Sequence, residues 1–136
     1  MASPVVNLYT DGACRGNPGQ GGAGAVLVDE RGEIVAALRH SLGHCTNNIA
    51  EYRALIIGLE EALKKRYRQL NIFLDSELLV NQIKGSYKVK NENLKILMSE
   101  VRKLLSYFDS YKIEHIDRSL NHMADKLANE AIDEAP

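Results

Sequence analysis

Four acidic residues stand where the chain changes from one kind of local structure to another. Asp11 follows the β-branched and aromatic run Val5 to Thr10, and Asp75 follows the similar run Leu70 to Leu74. Glu51 and Asp125 each lie in the first turn of a segment with helical apolar spacing. If the first and fourth strands lie parallel and adjacent, the Asp11 and Asp75 carboxylates meet at the carboxyl edge of the sheet, the usual ligand site of an open α/β sheet. Glu51 stands four residues before Leu55 and eight before Leu59, so its side chain borders the stripe that packs on the sheet and reaches the same edge. Asp125 joins them if the last strand is also parallel. Four carboxylates converging there repel one another unless cations are bound, and all-oxygen ligation suits Mg²⁺ or Mn²⁺.

Each acid also has an ordinary role. Asp75 can cap the helix that begins at Ser76, Asp125 can complement a helix dipole, Glu51 can close a capping box with Asn48, and Asp11 can open an Asp-Gly turn. Taken singly, these roles explain each residue as well as a shared site does. The joint placement at three sheet-to-helix junctions is what favours chemistry.

The elements that must position these acids follow from periodicity and turn signals. Val5 to Thr10 reads as a strand, and a Gly-rich stretch follows it. Gly22 to Val28 and Glu33 to Arg39 are strand-like, and Asp29-Glu30-Arg31-Gly32 between them supplies hairpin chemistry. Ile49 to Arg66 carries Tyr52, Leu55, Ile56, Leu59 and Leu63 at the spacing of an amphipathic helix. Leu70 to Leu74 is a strand, Ser76 to Lys84 a short helix closed by Gly85, and Glu92 to Phe108 a third helix. Tyr111 to Ile116 is the last strand, and Asn121 to Ile132 the last helix. The order βββαβααβα, without repeats or an internal linker, predicts one mixed sheet covered by helices.

Composition limits the alternatives. The chain has 136 residues, 45% apolar and 26% charged, which fits one soluble domain. Its longest apolar stretches, Ala23 to Val28 and Leu55 to Ile57, fall well short of the ~18 residues of a membrane span, and the opening Met-Ala-Ser-Pro lacks a signal peptide's charged and apolar regions. A cytoplasmic protein with no membrane association is expected. Seventeen Lys and Arg against eighteen Asp and Glu leave a net charge of −1, so any nucleic-acid binding must come from local placement of charge. The two cysteines, Cys14 and Cys45, have no CxxC spacing and are expected to be free thiols.

Four motifs resemble type 1 ribonuclease H. They are Tyr9-Thr10-Asp11-Gly12-Ala13-Cys14-Arg15-Gly16-Asn17-Pro18-Gly19, Thr46-Asn47-Asn48-Ile49-Ala50-Glu51, Leu74-Asp75-Ser76, and Asn121-His122-Met123-Ala124-Asp125-Lys126-Leu127-Ala128. They stand in the family's order and are spread through essentially the whole chain. The resemblance implies an α/β ribonuclease H-like fold in one domain over residues 1–136: a five-stranded mixed sheet, three antiparallel strands then two parallel, with helices on both faces. It implies hydrolysis of the RNA strand of RNA–DNA hybrids, giving 5′-phosphate and 3′-hydroxyl ends. Asp11, Glu51, Asp75 and Asp125 fall on the family's catalytic, metal-holding acids. The cofactor implied is Mg²⁺, with Mn²⁺ as substitute, two ions about 4 Å apart when substrate is bound. Asp11 would be shared by both, Glu51 and Asp75 would complete one site, and Asp125 would support the other.

The same resemblance implies that Cys14, Asn17, Thr46, Asn47 and Asn48 contact the hybrid's minor groove. An amide both donates and accepts, which suits a 2′-hydroxyl, and helix capping by Asn47 and Asn48 need not exclude binding. Gly19-Gln20-Gly21-Gly22-Ala23-Gly24 satisfies GxGxxG, but Ala25 to Val28 after it reads as a strand where a dinucleotide site needs a helix, so that reading is rejected. The glycines serve either close approach to a minor groove or a tight bend into the hairpin.

The pattern departs from many relatives at two places. Glu77 stands where they carry Gln, and it is left out of the site. The path from Ile116 to Asn121 is too short for the longer loop in which relatives often carry a catalytic His. His115 and His122 remain near it, but Arg118, the cation within the loop, is the candidate for holding phosphate or assisting product departure. Lys84 and Lys88 flank an abbreviated form of the family's basic protrusion, and contact with the DNA backbone or plain solvation explains them equally. A monomer is expected. Two other classes stay open: a noncatalytic nucleic-acid-binding module of the same fold, and a small-molecule nucleotide enzyme, which the strand after the Gly-rich loop and the missing P-loop Lys disfavour.

Overall fold

The computed structural model describes residues 4–135. In chain order the elements are β1 (Val5–Gly16), β2 (Gly19–Val28), β3 (Ile34–Cys45), α1 (Asn47–Lys64), β4 (Gln69–Leu74), α2 (Glu77–Lys84), α3 (Glu92–Leu105), β5 (Ser110–His115), a 3₁₀ turn (Arg118–Leu120) and α4 (His122–Asp133). One five-stranded sheet has the spatial order β3-β2-β1-β4-β5. β1, β2 and β3 pair antiparallel, and β4 and β5 run parallel to β1 and to each other. The predicted mixed sheet and element order are therefore present.

β1 and β2 are longer than their sequences predict. The Gly-rich stretch read as a loop continues both strands, pairing from Asp11 with Gly24 to Gly16 with Gly19, and only Asn17 and Pro18 form the turn. Asp11 thus lies inside β1, not at its end, and Asp11-Gly12 is no turn. It remains an end in one sense, because the parallel pairing with β4 stops one residue earlier, at Thr10 with Leu74. At Gly12, Gly22 and Gly24 the helices press directly on the strands. A side chain at Gly12 would place its Cβ 2.2 Å from the Ala50 carbonyl carbon of α1, and one at Gly24 would be 2.1 Å from the Ala124 oxygen of α4. Gly12 and Gly24 point to opposite sides, so α1 and α4 cover opposite faces of the sheet.

The main core lies between the sheet and α1, α2 and α3. Val6 and Leu8 of β1 and Leu70, Ile72 and Leu74 of β4 meet Leu55 and Leu59 of α1, with Val101 and Leu105 of α3 closing the layer. Each of these large side chains contributes on the order of 1.5–3 kcal/mol by leaving water. Within this apolar layer Tyr52 donates its hydroxyl hydrogen to Gln82 Oε1 at 2.7 Å, satisfying both polar groups and tying α1 to α2.

Helix starts differ in detail from expectation. α1 begins at Asn47 with Thr46 as its N-cap, whose hydroxyl oxygen accepts from Ile49 N at 3.3 Å, so the Asn48–Glu51 capping box does not form. Ser76 caps α2 by accepting from Leu79 N, which leaves the Asp75 carboxylate free of that task. Such caps are each worth about 1 kcal/mol. Among the described residues no helix is long and apolar enough to cross a membrane.

Candidate active site

β1 and β4 run side by side and parallel, which brings Asp11 and Asp75 to the same end of the sheet. α1, entering over Gly12 with no intervening side chain, delivers Glu51 beside them. Oxygen atoms of Asp11, Glu51 and Asp75 lie within 4.8 Å of one another. Asp125 approaches from the first turn of α4. These four acids, Cys14, Asn47, Asn48 and Arg118 line one cavity of about 510 Å³, with Ser76 and Asn129.

The electrostatics of this cluster are unfavourable in the absence of a cation. Asp11 is 5% exposed. Its burial, then the neighbouring charge of Glu51 and that of Asp75, raise its carboxyl far above the ordinary carboxylate range. Burial raises Glu51 as well, while the hydrogen bond from Asp11 and the Gly12 N–H oppose the rise and the Asp75 charge adds to it. Both shifts run towards holding a proton on the pair, as burial and like charge dictate for carboxylates this close. Glu51 Oε2 is buried without a hydrogen-bond partner. An unpartnered buried carboxylate oxygen within an all-oxygen cluster is what a hard divalent cation satisfies, so these residues fit such an ion.

Asn121 holds the frame. It is 1% exposed and precedes α4 without capping it through its side chain. Its Nδ2 instead donates to the Thr10 carbonyl at 2.9 Å and to Asp75 Oδ2 at 3.1 Å, linking the end of the parallel pairing, the Asp75 carboxylate and the start of α4. Asn121 belongs to the fourth motif, but nothing in its sequence neighbourhood shows this task, and Asn129 lies outside all four motifs. The one signal for Asn129 was an amide one helical turn after an acid, which is common on any helix surface.

The other predicted residues divide by position. Asn17 and Thr46 line a neighbouring groove that shares Asn48 with the carboxylate cavity. Asn17 Oδ1 accepts the Asn47 backbone N–H at 3.1 Å, joining the hairpin tip to α1 and leaving the Asn17 NH₂ as its outward-going donor. Cys14 donates its S–H to the Cys45 carbonyl at 2.8 Å. Arg118 Nη2 stands 3.9 Å from Asp125 Oδ1 and is 82% exposed, in the 3₁₀ turn before α4. His115 at the end of β5 and His122 at the start of α4 are exposed and line no part of the carboxylate cavity. Lys84 and Lys88 are exposed and also lie outside it. Glu77, the first residue of α2, is exposed, in keeping with its omission.

A mixed five-stranded sheet with an acidic, cation-fitting cavity at the carboxyl ends of its parallel strands defines a class of phosphoryl-transfer domains built on the ribonuclease H-like fold. Residues 9–131 match the family model described as reverse transcriptase-like. The chain is 42% identical to ribonuclease HI of Halobacterium salinarum over 96% of its own length and 65% of the relative's. It is 40% identical to the bifunctional protein Rv2228c of Mycobacterium tuberculosis, covering 96% of this chain and 36% of that one. It thus spans about two thirds of the first of these proteins and about a third of the second. The crystal structure of the Halobacterium enzyme superposes with a TM-score of 0.94, covering 96% of this chain and 99% of the other at 42% identity. LC11-RNase H1, solved in complex with an RNA/DNA hybrid, gives 0.90 at 38% identity over 95% and 97% of the two chains. The chain belongs to the type 1 ribonuclease H family.

Proposed function

We propose that this protein is an endoribonuclease that hydrolyses the RNA strand of RNA–DNA hybrids, leaving 5′-phosphate and 3′-hydroxyl ends. The observation that carries the proposal is the Asp11, Glu51 and Asp75 trio, whose oxygens lie within 4.8 Å of one another at the ends of two parallel strands. The likeness to a relative crystallised on an RNA/DNA hybrid supports the choice of substrate.

Mg²⁺, with Mn²⁺ as substitute, is the cation assigned, two ions when substrate is bound. Asp11 would serve both, Glu51 and Asp75 would complete one site, and Asp125 would support the other. Their chemistry there would be to lower the pKa of an attacking water and to stabilise the leaving 3′-oxygen. A proton held on the pair of Asp11 and Glu51 must leave before both carboxylates can ligate. The Asn17 NH₂ and the exposed amides of Asn47 and Asn48 offer donors and acceptors to a 2′-hydroxyl, with Cys14 and Thr46 beside them. Arg118 presents a guanidinium to a phosphate at the mouth of the cavity. Lys84 and Lys88, away from the acids, meet the DNA backbone. Action as a monomer in the cytoplasm completes the proposal.

One gel assay tests the central reading. Labelled RNA–DNA hybrid, double-stranded RNA and DNA duplex are incubated with and without Mg²⁺. Cleavage confined to the RNA of the hybrid and dependent on the metal is expected. Hybrid binding without turnover would instead mark a noncatalytic module of the same fold.

A further inference from the structure

We propose that Asn129 is a positioning residue for Asp125, a role that rests on reading Asp125 as a metal-supporting carboxylate. Asp11, Glu51 and Asp75 are fixed by the sheet, by α1 and by Asn121, whereas Asp125 stands outside that trio on α4 with a third of its side chain exposed. A helical carboxylate so placed has rotamer freedom that must be removed before it can serve a cation at a defined place. Asn129, one turn further along, removes it. Its Nδ2 donates to the Asp125 backbone carbonyl at 2.9 Å and to Oδ1 of the same residue at 3.3 Å. Arg118 also approaches Oδ1, at 3.9 Å and 82% exposed, and the buried Asp11 carboxyl is within hydrogen-bond range of the Asp125 carboxylate.

The Asn129 and Arg118 side-chain contacts both fall on Oδ1 and so set the plane of the carboxylate from that side. The amide orients the carboxylate without bringing a positive charge that would compete with a metal ion, which a lysine in its place would do. Asn129 is itself anchored from outside the helix: Arg15 of β1 donates to its carbonyl at 3.5 Å and pairs with Asp133 a turn beyond. The strand that carries Asp11 thereby also holds the turn that sets Asp125.

The test compares wild type with Asn129→Ala, Asn129→Ser and Asp125→Asn, and with Asn129→Ala combined with Asp125→Asn. A serine hydroxyl can still donate to the carbonyl four residues back but is too short to reach the carboxylate, so it preserves the helix contact and removes only the proposed one. Two quantities are read: the Mn²⁺ isotherm by calorimetry of the protein saturated with a hybrid whose RNA strand is cleavage-resistant phosphorothioate, where the site that Asp125 supports is occupied, and the Mg²⁺ dependence of hybrid cleavage with KM for hybrid measured separately. Both single variants at Asn129 should bind Mn²⁺ about tenfold more weakly and need about tenfold more Mg²⁺, the usual scale for residues that orient a ligand, while KM for hybrid stays level. In the Asp125→Asn background the Asn129→Ala change should add nothing. An Asn129→Ser protein equal to wild type in both readouts, or an undiminished Asn129 effect without the Asp125 carboxylate, overturns the proposal. A wild-type protein that cleaves no hybrid refutes the nuclease reading instead, and the Mn²⁺ isotherms still decide the role of Asn129.

Discussion

Replacing Asp11 with Asn should abolish cleavage and yet change the metal-free protein's response to pH in a calculable direction. Asp11 is raised by burial and by the Glu51 and Asp75 charges, so the folded state holds a proton on the pair that the unfolded chain releases in the ordinary carboxylate range near pH 4. A raised folded-state pKa means stability that is fully present below the unfolded value and is lost as pH rises towards the folded one. Each pH unit over which the folded state holds one extra proton costs about 1.4 kcal/mol. For a domain of this size that is roughly 5 °C of melting temperature per unit. An asparagine at position 11 has nearly the same shape, keeps a donor for Glu51 and needs no proton. Its melting temperature in EDTA, followed by circular dichroism at pH 5.5, 6.5 and 7.5, should therefore fall less steeply than that of wild type by up to about 5 °C per unit. The two proteins should be closest at pH 5.5, with the variant clearly ahead at 7.5, while turnover with Mg²⁺ drops by more than about a thousandfold. Parallel pH curves for the two proteins would refute the shared-proton account, and wild-type turnover in the variant would refute the site.

Other substitutions probe separate parts of the structure. Gly12→Ala should lower the melting temperature by several degrees and cost activity as well, because its Cβ would sit 2.2 Å from the Ala50 backbone beside Glu51; a wild-type melting curve contradicts the packing described. Arg118→Ala should reduce kcat about 10- to 100-fold, and His115→Ala or His122→Ala much less, since only the guanidinium lies in the cavity. If His122→Ala is the more damaging change at saturating hybrid, the helper is wrongly assigned. Asn47→Ala should lower the preference for hybrid over DNA duplex with little change in metal affinity, whereas Lys84→Ala should weaken binding to both duplexes alike; titrations at several salt concentrations separate the two.

The acids were readable because the existence and order of strands and periodic helices can be read even where their limits cannot, and carboxylates at several successive strand-to-helix connections have few structural reasons to coincide. The extent of the first hairpin was not readable. Glycine is depleted in strands, so Gly12 to Gly22 reads as loop until one sees that α1 and α4 leave no room for a side chain at Gly12 and Gly22, and the hairpin's own backbone and Cys45 leave none at Gly19 and Gly21. The start of the first helix was ambiguous among Thr46, Asn47 and Asn48, all acceptable caps; the contact of Asn17 with the Asn47 N–H accompanies the choice of Thr46, and it joins residues thirty positions apart. Asn121 and Asn129 escaped notice as working residues for a similar reason. Their tasks are defined by partners that only the folded chain brings near.

The contact between Asn121 and the Thr10 carbonyl spans 111 positions of the chain. Closing so large a loop is entropically expensive and late, and parallel pairing of β1 with β4 already requires a crossover through α1. During synthesis the ribosome would release β1, with Asp11, well before α4 exists to seat on Gly22 and Gly24. The cavity is thus among the last features to assemble, and a chain caught partway through translation carries most of its acids but no working site. For the nuclease proposed here, this ordering ties the appearance of the full acid set to the synthesis and docking of α4.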